Sequence, residues 1–279
     1  MRKWIVRVVA GLAALIAVGV LAFYGVSEAM IRHRPEVPLV QIRAATGPEA
    51  VARGEQLARL YGCAGCHGAN LQGEQWEDSV WRGRLWTSNL TRAMPRYTDA
   101  QLARAIRSGV KADGSLMWGM PSESWVRVTD AEMADLLGYL RTLKPAGRDA
   151  PSTRFGPLGR WRVLTRETTP TTAWVAEARA NPSFDAGPAF MRGRHLADTA
   201  CSECHGSNLK GRPGDAPDLL MGASYDLEGF TRLMRTGLAA DGKEKGLMTE
   251  VARSRFSHFT DQDIADLHGY LTARAERME

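Results

Sequence analysis

The chain has 279 residues, enough for about two domains at roughly 150 residues each. Its composition, 44% hydrophobic and 24% charged, is that of an ordinary globular protein and excludes a disordered, collagen-like or polytopic membrane chain. The formal net charge of +5 is spread along the chain without a nucleic-acid-reading motif, so we expect no nucleic-acid partner. The four cysteines form two pairs, Cys63/Cys66 and Cys201/Cys204, which are too few for a dense disulfide framework.

An uncharged stretch near the amino terminus covers residues 8–27. As a helix rising about 1.5 Å per residue it reaches about 30 Å, the thickness of the hydrocarbon layer of a bilayer. Arg2, Lys3 and Arg7 precede it, so the positive-inside rule predicts one inner-membrane anchor over residues 1–28, with the following chain in the periplasm. A cleaved signal peptide is the alternative, but its apolar region is normally shorter and ends in a small-residue cleavage site. Residues 29–47 are interpreted as a spacer.

Each cysteine pair is followed directly by a histidine, in CAGCH ending at His67 and in CSECH ending at His205. C-x-x-C-H is the attachment sequence of c-type haem, in which two thiols form thioethers with the porphyrin and the adjacent imidazole binds the iron. Sulfurs three residues apart on a helical turn face the same way. A redox pair or a zinc site would not require the following histidine twice. We therefore expect two covalently bound c-type haems, held by Cys63, Cys66, His67, Cys201, Cys204 and His205.

The two motifs belong to a longer internal repeat. The eleven residues from Cys63 and the eleven from Cys201 agree at seven positions, and two further matching blocks follow each motif. These blocks are residues 98–114 against 226–242 and residues 129–140 against 260–271. A fixed order of matching blocks indicates one structural unit per copy. We therefore expect one module at 48–145, a second at 188–279, and a linker at 146–187.

Helix signals dominate both copies. Thr98, Thr129 and Thr260 each precede an acidic residue and an apolar run with helical spacing, and Gly109 and Gly237 follow such runs. Helices are also predicted over 48–61 and 188–198, leading into the motifs. Strand-like alternation is nearly absent, so the predicted fold class is all-α, with the haems supplying much of each core. The linker is rich in Pro, Gly and Thr; we expect it to lie as a strap over one module, with a short helix at 172–180.

The segments CAGCHGANLQG, SNLT at 88–91, Met120-Pro121 and residues 129–145 resemble the membrane-anchored dihaem cytochromes c of class I. The resemblance is strongest to cytochrome subunits of periplasmic alcohol and sugar dehydrogenases, which usually carry three haem modules where this chain has two. It implies two tandem class I cytochrome c modules after a single N-terminal transmembrane helix. It further implies that Asn89 and Thr91 hydrogen-bond a haem propionate.

A second axial ligand is expected on each iron, because a thioether ligand suits a haem that only transfers electrons. In the first module Met94, Met117, Met120 and Met133 are available, and Met133 lies on an apolar helix face. The repeat pairs Met248 with Met120 at an offset of 128 and with Met117 at 131, and the Met-Pro of the resembled family favours Met120. In the second module Met221, Met234, Met248 and His258 are available. Met248 is favoured because it occupies the corresponding loop, with His258 as the alternative.

Two groups of residues receive structural interpretations. Five tryptophans of the first module are expected to wall the haem pocket by packing; they are Trp76, Trp81, Trp86, Trp118 and Trp125. His195 is expected at an exposed position beside a helix that leads into the second motif.

The predicted function is electron transfer without substrate chemistry, because no nucleophile motif, phosphate loop or carboxylate pair is recognisable. Two haems would relay single electrons from a periplasmic dehydrogenase or membrane donor to a soluble cytochrome or an oxidase. The alternative is a dihaem oxidoreductase with its own substrate, either peroxidase-like or oxidising sulfur compounds. A peroxidase needs an accessible iron, and the sulfur-oxidising enzymes use a cysteine ligand, whereas every cysteine here is already assigned to haem attachment.

Overall fold

The computed structural model describes residues 1–278, and most of them are helical, as expected. Three short strands are present as well. The α-helices are α1 Arg2–Ile31, α2 Pro48–Leu60, α3 Cys63–His67, α4 Leu90–Ala93, α5 Asp99–Ser108, α6 Asp130–Arg141, α7 Pro157–Leu164, α8 Thr171–Ala180, α9 Met191–Leu196, α10 Ser202–His205, α11 Leu227–Thr236, α12 Leu247–Ser254 and α13 Asp261–Met278. The strands are β1 Gln75–Ser79, β2 Gly83–Trp86 and β3 Arg154–Phe155.

Helix α1 is long and apolar enough to cross a membrane, and within the described residues it is the one helix that meets this criterion. It continues to Ile31, three residues beyond the expected end of the anchor. The reason is tertiary: its last turns pack against α7, and this contact buries Ser27 completely.

Each module contains the same type of helix crossing. In the first module α2 packs on α6, and a Cβ added at Gly54 would overlap the Asp135 carbonyl oxygen. In the second module α9 packs on α13, and a Cβ at Gly193 would overlap the Asp266 carbonyl oxygen in the same way. A glycine at the crossing lets two helix backbones approach more closely than any side chain would allow. The internal repeat therefore also includes the helix that leads into each motif.

Helix ends follow the sequence signals. Thr98 and Thr129 form capping boxes, with Gln101 and Glu132 respectively as the reciprocal partners. Gly109 ends α5 and Gly237 ends α11, both with left-handed backbone conformations at φ 66° and 74°. These predicted boundaries are confirmed.

A small antiparallel sheet in the order β1-β2-β3 was not predicted. Its strands have two to five residues, too short for a visible alternation of apolar and polar residues. β1 and β2 form a hairpin, whereas β3 comes from the linker and pairs with β2 through Gly83 and Phe155. The sheet thus ties the linker to the first module.

The linker lies over the first module. Its helix α8, expected at 172–180 and observed one residue longer, packs beside α5. The buried Thr171 donates its backbone N–H to the Met117 carbonyl and its hydroxyl to the Met120 carbonyl, both at 3.0 Å. In the second module the hydroxyl of Thr249, in α12, donates to the Gly237 carbonyl at 2.8 Å. Thr171 and Thr249 also lie against the equivalent glycines, Gly109 and Gly237. The first module therefore takes from the linker a helix that the second module supplies from its own sequence.

Charged pairs cross between the two modules. His195 Nε2 lies 2.8 Å from Glu132 Oε1, so the expectation that His195 is exposed is wrong: its side chain is 20% exposed and contacts the first module. The other pairs are Arg127 with Asp198 at 3.7 Å and Arg212 with Glu123 at 3.6 Å.

Candidate haem sites

The first motif opens onto a cavity of about 340 Å³. Cys63, Cys66 and His67 line this cavity, and so do Met117 and Met120. Four of the five tryptophans expected at the pocket also line it: Trp76, Trp86, Trp118 and Trp125. Trp81 does not; it lies at the exposed tip of the β1–β2 hairpin. The interpretation of Trp81 as a pocket residue is therefore wrong.

The imidazole of His67 is held in a fixed orientation. Its Nδ1 donates to the Ser88 carbonyl at 2.7 Å, which leaves Nε2 with a free lone pair. Burial lowers the pKa of His67, although the hydrogen bond to Ser88 opposes the shift. The neutral form of the ring is the form that binds a metal. The first motif thus presents a neutral nitrogen ligand beside two thiols.

The second motif repeats this arrangement. His205 Nδ1 lies 2.7 Å from the Pro217 carbonyl, and burial lowers the pKa of His205. The carbonyl oxygens of His67 and His205 each accept a backbone hydrogen bond at 2.8 Å, from Gly73 and Gly211. Both modules therefore fold locally in the same way. They differ just before the motif: Gly62, in a left-handed conformation, precedes the first motif, whereas a π-helical turn at Ala197–Cys201 leads into the second.

The thiols do not resemble those of a thiolate redox pair. Burial, reinforced by the neighbouring Cys66, raises the pKa of the Cys63 thiol to about 12. Burial and Cys204 raise the pKa of Cys201 to about 12 in the same way. Reactive thiols of redox pairs have lowered pKa values, so these environments disfavour the redox-pair interpretation.

The residues around the first cavity fit a c-type haem. Two thiols and a neutral imidazole come from α3, and the thioether sulfurs of Met117 and Met120 belong to residues that line the same cavity. The indole Nε1 of Trp86, which also lines the cavity, is buried and has no hydrogen-bond partner among the described residues. A buried N–H of this kind is satisfied by an acceptor such as a haem carboxylate.

Asn89 and Thr91, expected at a propionate, are engaged elsewhere. The Asn89 amide donates to the carbonyl oxygens of Ala146 and Arg148 at 2.8 and 2.9 Å, which uses both of its N–H groups. The Thr91 hydroxyl lies 2.6 Å from Asn89 Oδ1 and 3.2 Å from the Ala146 carbonyl. These side chains hold the start of the linker, and the propionate expectation is wrong for Asn89.

The choice between Met117 and Met120 is not made by the cavity, because both line it. The backbone gives a further indication. The bridges Val110–Leu116 and Leu238–Glu244 are equivalent at an offset of 128, and they extend this alignment to within four residues of Met120 and Met248. This favours the pairing of Met120 with Met248.

In the second module Met248 and His258 lie in different surroundings. Met248 is in the first turn of α12 and packs half-buried against the core. His258 ends a short 3₁₀ turn, and its side chain is exposed. Burial therefore favours Met248 over His258.

The second motif lies beside the cavity of the first. Glu203, between the two cysteines of the second motif, lines the first cavity. Its carboxylate pairs with Arg255 at 2.6 Å, and the Arg255 guanidinium lies against Gly62, directly before the first motif. Both side chains are mostly buried, at 25% and 14% exposure. Sequence reasoning missed this pair; the one available signal was an acidic residue inside the second motif.

Comparison with known protein families assigns the chain to a family. The sequence profile of cytochrome c matches residues 51–144 and 190–274, which are the two segments that contain the motifs. The chain belongs to the cytochrome c family. Two family domains, each with its own C-x-x-C-H motif, mean two c-type haems.

Known relatives of this cytochrome c include cytochrome subunits of dehydrogenases and a dihaem cytochrome. The fructose dehydrogenase cytochrome subunit of Gluconobacter japonicus is 26% identical over 289 residues, covering 89% of this chain and 57% of the relative. The gluconate 2-dehydrogenase cytochrome c subunit of Pantoea cypripedii is 25% identical, covering 79% and 58%. A dihaem cytochrome c-type protein of Cereibacter sphaeroides is 27% identical, covering 79% and 84%. The chain therefore spans a little over half the length of the dehydrogenase subunits and most of the dihaem protein.

Proposed function

We propose that this cytochrome c relays single electrons through its two haems, from a membrane or periplasmic donor to a downstream cytochrome or oxidase. The observation that carries the proposal is the position of Glu203: a residue within the second attachment motif lines the cavity of the first. A second attachment motif beside the first haem cavity suits electron transfer within one chain. When bound, each haem supplies a one-electron iron couple.

The residues that would hold the haems are assigned as follows. Cys63 and Cys66 attach the first haem, and Cys201 and Cys204 attach the second. His67 and His205 would each bind an iron through Nε2, supported by their Nδ1 hydrogen bonds. Met120 and Met248 would supply the thioether ligands. The functional units are a module at 48–145, a linker at 146–187 and a module at 188–279, with α8 of the linker completing the first module.

The chain is proposed to lie on the periplasmic side of the inner membrane. Helix α1 spans the membrane, residues 1–28 form the anchor, and residues 29–47 hold the first module above the surface. The orientation is supported by Arg2, Lys3 and Arg7, which precede the apolar stretch.

A dehydrogenase is the proposed electron donor. Several relatives are named as cytochrome subunits of fructose, alcohol and gluconate dehydrogenases. The acceptor is proposed to be a soluble cytochrome or an oxidase. The match covers 84% of the length of the dihaem relative, which supports a protein that works with two haems.

The test is a potentiometric titration of the full-length holoprotein in nanodiscs, followed by the optical spectrum. We expect two reversible one-electron steps and low-spin spectra in both oxidation states. After rapid injection of one electron, the relay predicts redistribution between the haems before any external acceptor is added. Two haems that never exchange an electron would refute the relay. Rapid carbon monoxide binding to the reduced protein would instead support an enzyme with an open iron.

A further inference from the structure

A group of exposed apolar side chains lies beside the carboxyl end of the membrane helix. Val80 and Trp81, at the hairpin tip, are 87% and 69% exposed, and Trp161 of α7 is 54% exposed. Leu158, on the first turn of α7, is exposed as well. We call these four residues the interfacial patch. Haem attachment and the module contacts described above do not involve them.

The hairpin tip and α7 form one rigid unit. The backbone N–H groups of Leu158 and Gly159 donate to the Trp81 carbonyl at 2.9 and 3.4 Å. A Cβ added at Gly156 would overlap the Val80 carbonyl oxygen, so the two backbones are in direct contact. The four apolar residues are therefore held on neighbouring elements in a fixed arrangement.

Helix α7 is also fixed to α1. The Arg160 guanidinium donates to the Ser27 hydroxyl at 3.0 Å and to the Glu28 carboxylate at 2.6 Å, and it lies 5.2 Å from the centre of the Tyr24 ring. Residues 24 to 28 rise only about 6 Å along a helix. This short section includes the end of the uncharged stretch and the first charge after it. Arg160 therefore joins α7 to α1 at the level where the hydrocarbon layer ends.

The position of α7 at the edge of the hydrocarbon layer places the interfacial patch in the headgroup zone. The headgroup zone adds about 5–7 Å on each side of the hydrocarbon layer, and tryptophan is enriched there because its ring is apolar and its N–H is polar. Each tryptophan of the patch is followed by an arginine whose side chain is about half exposed: Arg82, which pairs with Glu77 at 2.8 Å, and Arg162, which lies 3.9 Å from Glu167. Arginine side chains beside the exposed rings of Trp81 and Trp161 suit lipid phosphates.

We propose that the interfacial patch inserts into the headgroup zone of the bilayer that α1 spans, as a second membrane contact. The occupant is lipid, because the patch is continuous with the anchor through α7. The inference rests on the proposed retention of α1 as a membrane span.

The contact sets the tilt of the first module. Phe155 of β3 packs edge-on against Trp118 at 5.0 Å between ring centroids, and Trp118 lines the haem cavity. Leu85 and Trp86 of β2 line the same cavity. The elements that carry the patch thus also form the cavity wall, so the patch fixes the orientation of the first haem site to the membrane.

Spin labels in full-length holoprotein in phosphatidylcholine and phosphatidylglycerol nanodiscs test the proposal. Trp81→Cys is labelled alone, because haem attachment occupies the native cysteines. Leu15→Cys, in the middle of α1, is the membrane reference. Leu227→Cys, an exposed apolar position in the second module, is the matched water reference. Power saturation measures accessibility to oxygen and to a water-soluble nickel complex, and the Soret spectrum verifies that each variant carries its haems.

We expect the ratio of oxygen to nickel accessibility at position 81 to exceed that at position 227 severalfold and to lie below that at position 15. Equal ratios at 81 and 227, with a membrane-like value at 15, would overturn the proposal and leave the anchor intact. Low accessibility to both reagents at 81 would mean that protein covers the patch, which also overturns it. A water-like value at 15 would refute the anchor itself. Val80→Cys repeats the measurement at a second position.

Discussion

The contact between Glu132 and His195 makes the stability of the paired modules depend on pH. Glu132 Oε2 accepts from the Thr129 N–H at 2.9 Å, and Oε1 lies 2.8 Å from His195 Nε2. Burial alone would raise the pKa of Glu132, but the hydrogen bonds with His195 and Thr129 lower it from 4.5 to about 2. The perturbation that tests this is Glu132→Gln, which preserves the capping geometry and removes the charge.

The size of the stability change follows from the pKa shift of Glu132. Each pKa unit corresponds to about 1.4 kcal/mol, so the change from 4.5 to about 2 amounts to about 3 kcal/mol. Because the folded-state pKa is the lower one, this stabilisation is complete above about pH 4.5 and is lost as the pH falls towards 2. At about pH 3.5 it is smaller by about 1 kcal/mol. We therefore expect Glu132→Gln to lower the free energy of unfolding by about 3 kcal/mol at about pH 6 and by about 2 kcal/mol at about pH 3.5.

The assay is guanidinium unfolding of the full-length holoprotein in detergent, followed by far-ultraviolet circular dichroism at both pH values. Gln101→Glu is the matched control, because Gln101 holds the same position in the capping box of Thr98. It adds a charge near a helix N-terminus, with an expected change below about 1 kcal/mol. A loss of stability by Glu132→Gln that is the same at both pH values, or no larger than the control, would refute the reasoning.

Three further predictions concern the ligand loop and the helix crossing. Met120→Ala should remove the first haem's share of the weak near-infrared band of methionine–iron bonds and leave the share from Met248, whereas Met117→Ala should retain both; the opposite result would make Met117 the ligand. Thr171→Val removes the hydroxyl that holds the Met120 carbonyl, worth about 1 kcal/mol, so the first haem's share of this band should disappear at a lower temperature than in the natural protein. Gly54→Ala should cost about 1–3 kcal/mol by separating α2 from α6. Gly269→Ala, which meets no neighbouring atom, should leave stability equal or higher in the same unfolding assay.

Features encoded within a few residues could be predicted from the sequence. The haem attachment motifs place two thiols and an imidazole on adjacent positions, and that chemistry requires no distant residue. The capping box of Thr129 and the left-handed glycine at Gly237 are likewise local, because their hydrogen bonds close within one turn. The short helix after Pro170 was predictable for the same reason. The order of repeated blocks then indicated two haem modules, since each block has a local signature.

Features that depend on contacts between distant segments could not be predicted. β3 pairs with β2 across about seventy residues of chain, and its two residues carry no strand pattern. His195 was interpreted as exposed because its partner, Glu132, belongs to the other module. Asn89 was assigned to a haem propionate, although its amide is satisfied by the linker.

The sequence by itself determined the cofactors, the number of modules and the presence of a long apolar N-terminal helix, because covalent attachment, helix periodicity and a charge-free stretch are local properties. Only the tertiary structure decided how these parts meet. It brought Glu203 to the cavity of the first haem and joined Trp81 through α7 to the end of α1. The residues next to Glu203 and Trp81 in the sequence do not indicate these contacts, because packing depends on shape and distance in space.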